Sequence, residues 1–177
     1  MRALRMGVVG AAVLAIGAAG CGGGRTPDAG GGTGSATIAG AMFDVSNMTF
    51  AFTPGEDGAF RIEADDAKHP DEDCLPGLGG GLALYGDLPS DVRVVQQLAG
   101  RDLPIEFTGD GDDFNLCFVG SNGLLGVEQG TVHITAVNGA NVAFTFSGRF
   151  VVYDGAGGQS PLPVEASGRG VARVKLD

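Results

Sequence analysis

Apolar and polar residues alternate over short stretches along most of the chain after residue 36. Met48, Phe50 and Phe52 alternate with small or polar residues, and Phe60 and Ile62 repeat the pattern a few residues later. A period of two over about five to seven residues is typical of a strand with one buried face. The same pattern predicts further strands at 36–43, 81–86, 103–108, 113–119, 130–137, 141–153 and 169–176.

One segment, 91–99, fits two kinds of element. Ser90 suits the N-cap of a helix and Gly100 suits its end, which favours one short helix. Val92 and Val94 are β-branched and alternate with polar residues, which favours a strand instead. The sequence leaves both interpretations open.

The most clearly specified unit is a hairpin over 130–153, with its turn near Asn138 and Gly139. A two-residue turn at Asn138 and Gly139 would put the two apolar rows on opposite faces of the hairpin. Because the buried face sets the register, we predict a three-residue loop at 138–140. That loop pairs the apolar residues as Ala136 with Val142, Ile134 with Phe144, and Val132 with Phe146.

About eight to ten such strands, separated by close turns, predict an all-β fold that is mainly antiparallel. A β-sandwich and a partly closed β-barrel both fit, in a single domain over residues 37–177. The composition agrees, because 33 of the 177 residues are glycine, 44% are hydrophobic and only 18% are charged. Such a chain is ordered and rich in turns.

The first 21 residues carry an export pattern. Arg2 and Arg5 precede an apolar stretch at 7–16, which is shorter than the roughly 20 residues that cross a bilayer. Small residues at 18–20 then lead into Cys21. This arrangement resembles the lipobox of bacterial lipoproteins, a family in which the signal peptide is cut before the cysteine and the cysteine is acylated. An ordinary signal peptide and a signal-anchor helix are the alternatives.

The resemblance implies a cleaved signal peptide at 1–20 and a lipidated Cys21 that opens a flexible, glycine-rich tether at 21–36. Acyl chains such as palmitate would then anchor the protein to the bacterial cell envelope, and the outer membrane is favoured if the source is Gram-negative. Residues 130–146 also resemble the terminal hairpin of small β-rich envelope lipoproteins of unknown function. An envelope or extracellular ligand is therefore the expected partner.

The charge of the chain excludes one class of partner. Acids outnumber bases by 21 to 11, a net charge of −10. Removal of residues 1–20 takes away two arginines and no acid, which leaves 9 bases, 21 acids and a net charge of −12. Nucleic acid is not expected to bind, because phosphate backbones require clustered Lys and Arg.

Two cysteines remain if Cys21 is acylated. Cys74 and Cys117 form an even pair in an exported chain, and such a pair is most simply a disulfide. A metal or redox pair is the alternative, although the chain has no C-x-x-C spacing.

Acidic residues crowd the middle of the chain, and one loop has the composition of a cation site. Ca²⁺ takes six to eight oxygen ligands from carboxylates, amides and carbonyls. The loop offers such oxygens at Asp110, Asp112, Asp113 and Asn115. It lacks the glycine and glutamate of an EF-hand, so a solvated hydrophilic turn is the alternative. Calcium is the one cofactor that the sequence suggests.

The two histidines are weak candidates for chemistry. His69 lies in an acidic loop, and His133 lies on the polar face of its predicted strand, where it is expected to be exposed. Two histidines cannot form a three-histidine zinc site. Neither a G-x-S-x-G nor an H-E-x-x-H motif is present.

These patterns favour a lipid-anchored envelope β-domain with a non-enzymatic binding or surface-display function. The first alternative is a calcium-organised binding module at 110–115 that recognises a glycan or an envelope protein. The second is a carboxylate-dependent hydrolase. It is the weakest, because glycoside clefts are usually rich in aromatic residues and the chain has no Trp and two Tyr.

Overall fold

The computed structural model describes residues 31–75, 78–106, 114–120, 123–153 and 163–175. Within these ranges it contains one short 3-10 helix and no helix that is long and apolar enough to cross a membrane. The strands are β1 (Gly32–Ile38), β2 (Ala41–Thr53), β3 (Ala59–Asp66), β4 (Asp73–Leu75), β5 (Leu78–Gly79), β6 (Gly81–Asp87), β7 (Asp102–Ile105), β8 (Leu116–Cys117), β9 (Leu124–Asn138), β10 (Asn141–Tyr153) and β11 (Val164–Val174).

Eight of these strands form a closed barrel. Hydrogen-bonded neighbours follow the order β10, β11, β1, β2, β3, β6, β8, β9, and β9 pairs back to β10 to close the ring. The described pairings are antiparallel except where the end of β11 meets β2, at Arg173 with Thr49 and Val174 with Phe50. The prediction of an all-β, mainly antiparallel fold is confirmed, and of the two predicted architectures the barrel is the one formed.

Two short strands share the stretch of wall between β6 and β9. β8 pairs with both of these strands at one level of the barrel. β7 pairs with β9 at another level, and the amide of Glu106 just beyond it donates to the carbonyl of Tyr85 on β6 at 2.9 Å. The strands predicted at 103–108 and 113–119 are therefore present but shorter than expected. β4 and β5 form a separate two-stranded hairpin.

The inner face of the barrel is filled by its own side chains. The Phe50 and Phe60 rings stack with centroids 6.4 Å apart. They belong to one continuous core that draws on most of the strands. An eight-stranded barrel is just wide enough to be filled in this way, so the surface accessible to a partner is the outer face. Six core phenylalanines have at most 3% of their surface exposed: Phe50, Phe60, Phe118, Phe144, Phe146 and Phe150.

The hairpin of β9 and β10 confirms the predicted facing of its buried residues and corrects its turn. Two predicted pairs are formed, Ile134 with Phe144 and Val132 with Phe146. The predicted three-residue loop is wrong, because Asn138 pairs with Asn141 and leaves two residues in the turn. The third predicted pair is not formed, since Ala136 lies opposite Ala143. A β-bulge at Thr135 then shifts the register by one residue and brings both apolar rows onto the inner face.

The barrel begins earlier in the chain than predicted. The sequence suggests a tether at 21–36 and one strand at 36–43, whereas β1 begins at Gly32 and a turn at 39–40 separates it from β2. Gly32 lies so close to β11 that a Cβ atom would overlap the carbonyl oxygen of Val171. Glycines that resemble a low-complexity spacer thus allow β1 to approach its neighbours closely.

The segment 91–99 contains the 3-10 helix, Val95–Leu98, and no strand. The helix is shorter and tighter than the α-helix that a capped segment suggests. Just beyond it, Arg101 forms a two-armed ion pair with Asp91, with N–O distances of 2.9 and 2.6 Å. The hydrogen bond from Arg101 lowers the pKa of Asp91. This ion pair ties together the two ends of the connection between β6 and β7.

Candidate functional site

A row of outward-facing side chains crosses six neighbouring strands on one side of the barrel. It runs from β2 through β1, β11, β10 and β9 to β7, and each member lies directly opposite the next. The residues that precede and follow these positions on β1, β10 and β11 point inward or are partly buried, so alternation places the row outside. The members of this Arg169 row are Asp44, Ser35, Arg169, Thr145, His133 and Asp102.

A groove of about 600 Å³ follows the middle of the Arg169 row. Its lining includes Ser35, Thr145 and Arg169, which provide hydrogen-bonding groups, and one carboxylate, Asp44. Met42 and Val171 supply an apolar part of the lining and are 67% and 44% exposed. The groove therefore combines apolar and polar surface, in a volume common for small-molecule sites.

Hydroxyl groups, and no carboxylates, occupy the positions around Arg169. Eight outward positions adjoin it on β1, β10 and β11, and two of them are Ala143 and Val171. Among the described residues Arg169 forms no ion pair. A guanidinium group that can donate five hydrogen bonds thus faces the groove without an acidic partner. The other six positions carry hydroxyls: Thr33, Ser35, Thr37, Thr145, Ser147 and Ser167.

The carboxylates at the two ends of the row are already engaged. Asp44 forms an ion pair with Lys68 at 3.6 Å. Asp102 lies 2.6 Å from Nδ1 of His133, directly across the β7–β9 pairing. The His133 side chain is 46% exposed, which confirms its predicted place on the polar face of the strand. The row therefore has partnered carboxylates at its ends and an unpaired arginine near its centre.

The predicted calcium ligands do not come together in the described part of the chain. Asn115 is fully buried in the barrel wall. Its side-chain amide donates to the Ala83 carbonyl at 3.1 Å and accepts from the Val127 amide at 2.7 Å. Asn115 therefore joins β6 to β9, and a calcium site built on the remaining residues stays a prediction. Those residues, outside the described ranges, are Asp110, Asp112 and Asp113.

The predicted cysteine pair is brought together. Cys74 on β4 and Cys117 on β8 lie at disulfide distance, with 5.9 Å between their Cα atoms. Nearby, Asp66 is buried with 2% of its surface exposed, a feature that the sequence analysis missed. This region fastens loops to the barrel, whereas Cys21 lies outside the described residues. The Asp66 carboxylate accepts hydrogen bonds from three backbone amides, those of Lys68, His69 and Val119.

The Arg169 row was not predicted from the sequence either. Alternation predicts that Arg169 and Val171 share a face, but it does not show that β1 and β10 flank them. Within the ranges that the structure describes, no three His, Cys, Asp or Glu side chains group as a metal site. A guanidinium and several hydroxyls in one groove are suited to non-covalent recognition of a polar ligand. Comparison of the chain with models of known protein families, with curated proteins and with solved structures finds no match.

Proposed function

We propose that this protein is a lipid-anchored β-barrel of the bacterial cell envelope that binds an envelope or extracellular ligand without catalysing a reaction. The observation that carries the proposal is the acylation pattern at Cys21, a short distance ahead of a closed barrel with a packed interior. The anchor would fix where the protein is. The packed interior leaves the outer face, with the groove beside Arg169, as the surface for the ligand.

The length of chain between anchor and barrel supports this arrangement. Ten residues, 22–31, separate Cys21 from the start of β1. Even fully extended they span at most about 35 Å. Two or more acyl chains hold a protein durably to a bilayer. The barrel would therefore stay close to the membrane, while its net negative charge disfavours contact with anionic headgroups.

Metabolic labelling with an alkyne analogue of palmitate tests the anchor. The full-length chain is expressed in a bacterial host, and the label on the purified protein is read by fluorescence after click coupling. We expect the wild type to carry the label and the Cys21→Ser variant to lack it. The expected loss is complete, because a serine hydroxyl does not replace the thiol in this modification.

The other two cysteines provide a matched control. A Cys74→Ser, Cys117→Ser double variant keeps Cys21 and should be labelled as strongly as the wild type. Labelling of Cys21→Ser to the same level would show that acylation occurs elsewhere, and the lipoprotein proposal would then be wrong. An unlabelled wild type, in a host that labels a known lipoprotein in parallel, would equally contradict it.

A further inference from the structure

We propose that the groove beside Arg169 is a binding site for the phosphate group of a small, partly apolar phosphate ester. This inference rests on the proposed binding function and names the chemistry of the ligand. Arg169 would hold the phosphate oxygens, and the hydroxyls around it would complete the contacts. The apolar part of the molecule would lie against Met42 and Val171.

The unpaired state of Arg169 is the first argument. An exposed arginine on a sheet commonly faces an acid on the adjacent strand, since opposite charges across strands attract. Arg149 follows that rule, since it pairs with Glu128 on the neighbouring strand β9. Arg169 instead lies between Ser35 and Thr145 on its two neighbouring strands. Each of four other described cations pairs with a carboxylate: Arg61, Lys68, Arg101 and Arg149.

The hydroxyls favour phosphate over carboxylate. The guanidinium fork binds either group through two parallel hydrogen bonds. A carboxylate has two oxygens and is largely satisfied by that fork. A phosphate ester has further oxygens that still need donors, and a serine or threonine hydroxyl donates one hydrogen bond each. Three of the six hydroxyl residues that adjoin Arg169 also line the groove, and they offer more donors than a carboxylate uses: Thr33, Ser35 and Thr145.

The electrostatics of the row permit an anion despite the net charge of −10. The nearest carboxylate of the row, Asp44, also lines the groove, lies two strands from Arg169 and is paired with Lys68. Two strand spacings amount to roughly 10 Å, beyond the Debye length of about 8 Å at physiological salt. Asp102 is three strands away and is engaged by His133. Among the described residues that line the groove, Arg169 is the only cation, and the charge of the one carboxylate, Asp44, is offset by its ion pair with Lys68.

The size and charge of the molecule point to a free ester rather than a lipid headgroup in a bilayer. A groove of about 600 Å³ has room for a small ligand and is open along the barrel side. An anionic membrane would repel the acidic barrel as a whole. A single small anion meets mainly the field of Arg169, because Asp44 in the same groove is paired with Lys68 and the more distant carboxylates are screened.

A nuclear magnetic resonance titration tests the site. The ¹⁵N-labelled full chain, purified in nonionic detergent at pH 7.5, is titrated with inorganic phosphate and then with n-butyl phosphate at constant ionic strength. We expect saturable shifts at the amides of Ser35, Thr145, Ser167 and Arg169. The Arg169→Gln variant should bind at least tenfold more weakly, and Arg169→Lys should lie between, because lysine keeps the charge but loses the fork. Arg61→Gln removes an exposed, ion-paired arginine on β3 and should bind like the wild type.

Several results would overturn the proposal. Shifts of equal size with sodium acetate would show that the site does not select phosphate. Equal binding by Arg169→Gln and wild type would remove Arg169 from the site. A spectrum of Arg169→Gln with native dispersion shows that weaker binding by this variant does not come from misfolding. Binding only to vesicles of phosphatidylglycerol would replace the free ester by a lipid headgroup. None of these results depends on acylation of Cys21, so failure here leaves the palmitate experiment to decide the proposed function separately.

Discussion

At the scale of single residues, Asn115 makes the hydrogen bonds between β6 and β9 that a longer strand between them would make. Asn115 lies just before β8. Its main-chain carbonyl accepts a hydrogen bond from the Ala83 amide on β6 at 2.8 Å, and its main-chain amide donates to the Leu125 carbonyl on β9 at 2.9 Å. Together with the side chain this makes four hydrogen bonds between β6 and β9 through one residue. A buried amide whose polar atoms are all paired contributes to stability, and the same group left unpaired is costly.

Replacing Asn115 by aspartate should therefore destabilise the barrel strongly. The new carboxylate oxygen would face the Ala83 carbonyl, two acceptors without a proton between them. We expect Asn115→Asp to lower the free energy of unfolding by about 3 kcal/mol, and Asn115→Ala by about 2 kcal/mol. Urea unfolding monitored by circular dichroism measures both. The loss in Asn115→Asp should shrink at acid pH, where a protonated carboxyl can donate to that carbonyl.

Asn141→Asp is the matched control, because Asn141 is exposed at the start of β10. Its free energy of unfolding should stay within about 0.5 kcal/mol of the wild type. If Asn115→Asp proved as stable as this control, Asn115 would not hold the two strands together. Asn115 would then again be a candidate calcium ligand.

At the scale of elements, a period of two in hydrophobicity predicts strands well because it reports burial directly. It located β3, β6 and β10 to within one or two residues. It missed most of β1, because residues 32–36 contain two glycines and no large apolar side chain. Without an apolar–polar alternation, this stretch resembles a flexible spacer. The hairpin turn failed for a related reason: the bulge at Thr135 leaves no mark in the pattern of apolar residues. Backbone irregularities of this kind depend on partner strands that are distant in sequence.

The glycines of β1 provide a test of this boundary. Gly32→Ala adds a Cβ atom that would overlap the Val171 carbonyl, and the strand must shift to accept it. We expect a loss of about 2 kcal/mol in the free energy of unfolding, within the range for overpacked sites. Amide hydrogen exchange of Thr33 and Ser35 should also become faster, since the end of β1 would detach from β11.

Gly79→Ala serves as the control for backbone entropy. A Cβ atom at Gly79 meets nothing within 4 Å, so the substitution should leave stability nearly unchanged. Equal stability of the two variants would place Gly32 outside the barrel. The predicted tether at 21–36 would then keep its original boundary.

At the scale of the whole molecule, closure of the barrel is the feature of the fold that the sequence pattern predicts least well. It depends on β8, a strand of two residues, and on β7, a strand of four, whose positions the hydrophobic period predicted but whose short lengths and partner strands it did not. The candidate site has the same origin. The Arg169 row contains residues from six strands, and its members span from Asp44 to Arg169 in the chain. Local pattern shows which residues face out, but only the order of strands shows which of them are neighbours.

The pairing of Cys74 with Cys117 is the one long-range contact that the number of cysteines in the sequence predicted. Cys117 belongs to β8, which completes the ring, while Cys74 belongs to the β4–β5 hairpin outside it. A disulfide between them closes a loop with a sequence separation of 43. In the chain-entropy model such a loop contributes up to about 4 kcal/mol, because it restricts the unfolded chain.

We expect a Cys74→Ala, Cys117→Ala double variant to lose about 3 kcal/mol in the free energy of unfolding and roughly 6–12 °C in Tm. Calorimetry of the variant beside oxidised and reduced wild type measures this. The reduced wild type should melt near the variant, and Cys21→Ser should melt like the oxidised wild type. If reduction left Tm unchanged, the two cysteines would be neighbours without a bond, and closure at β8 would rest on Asn115 and the core alone.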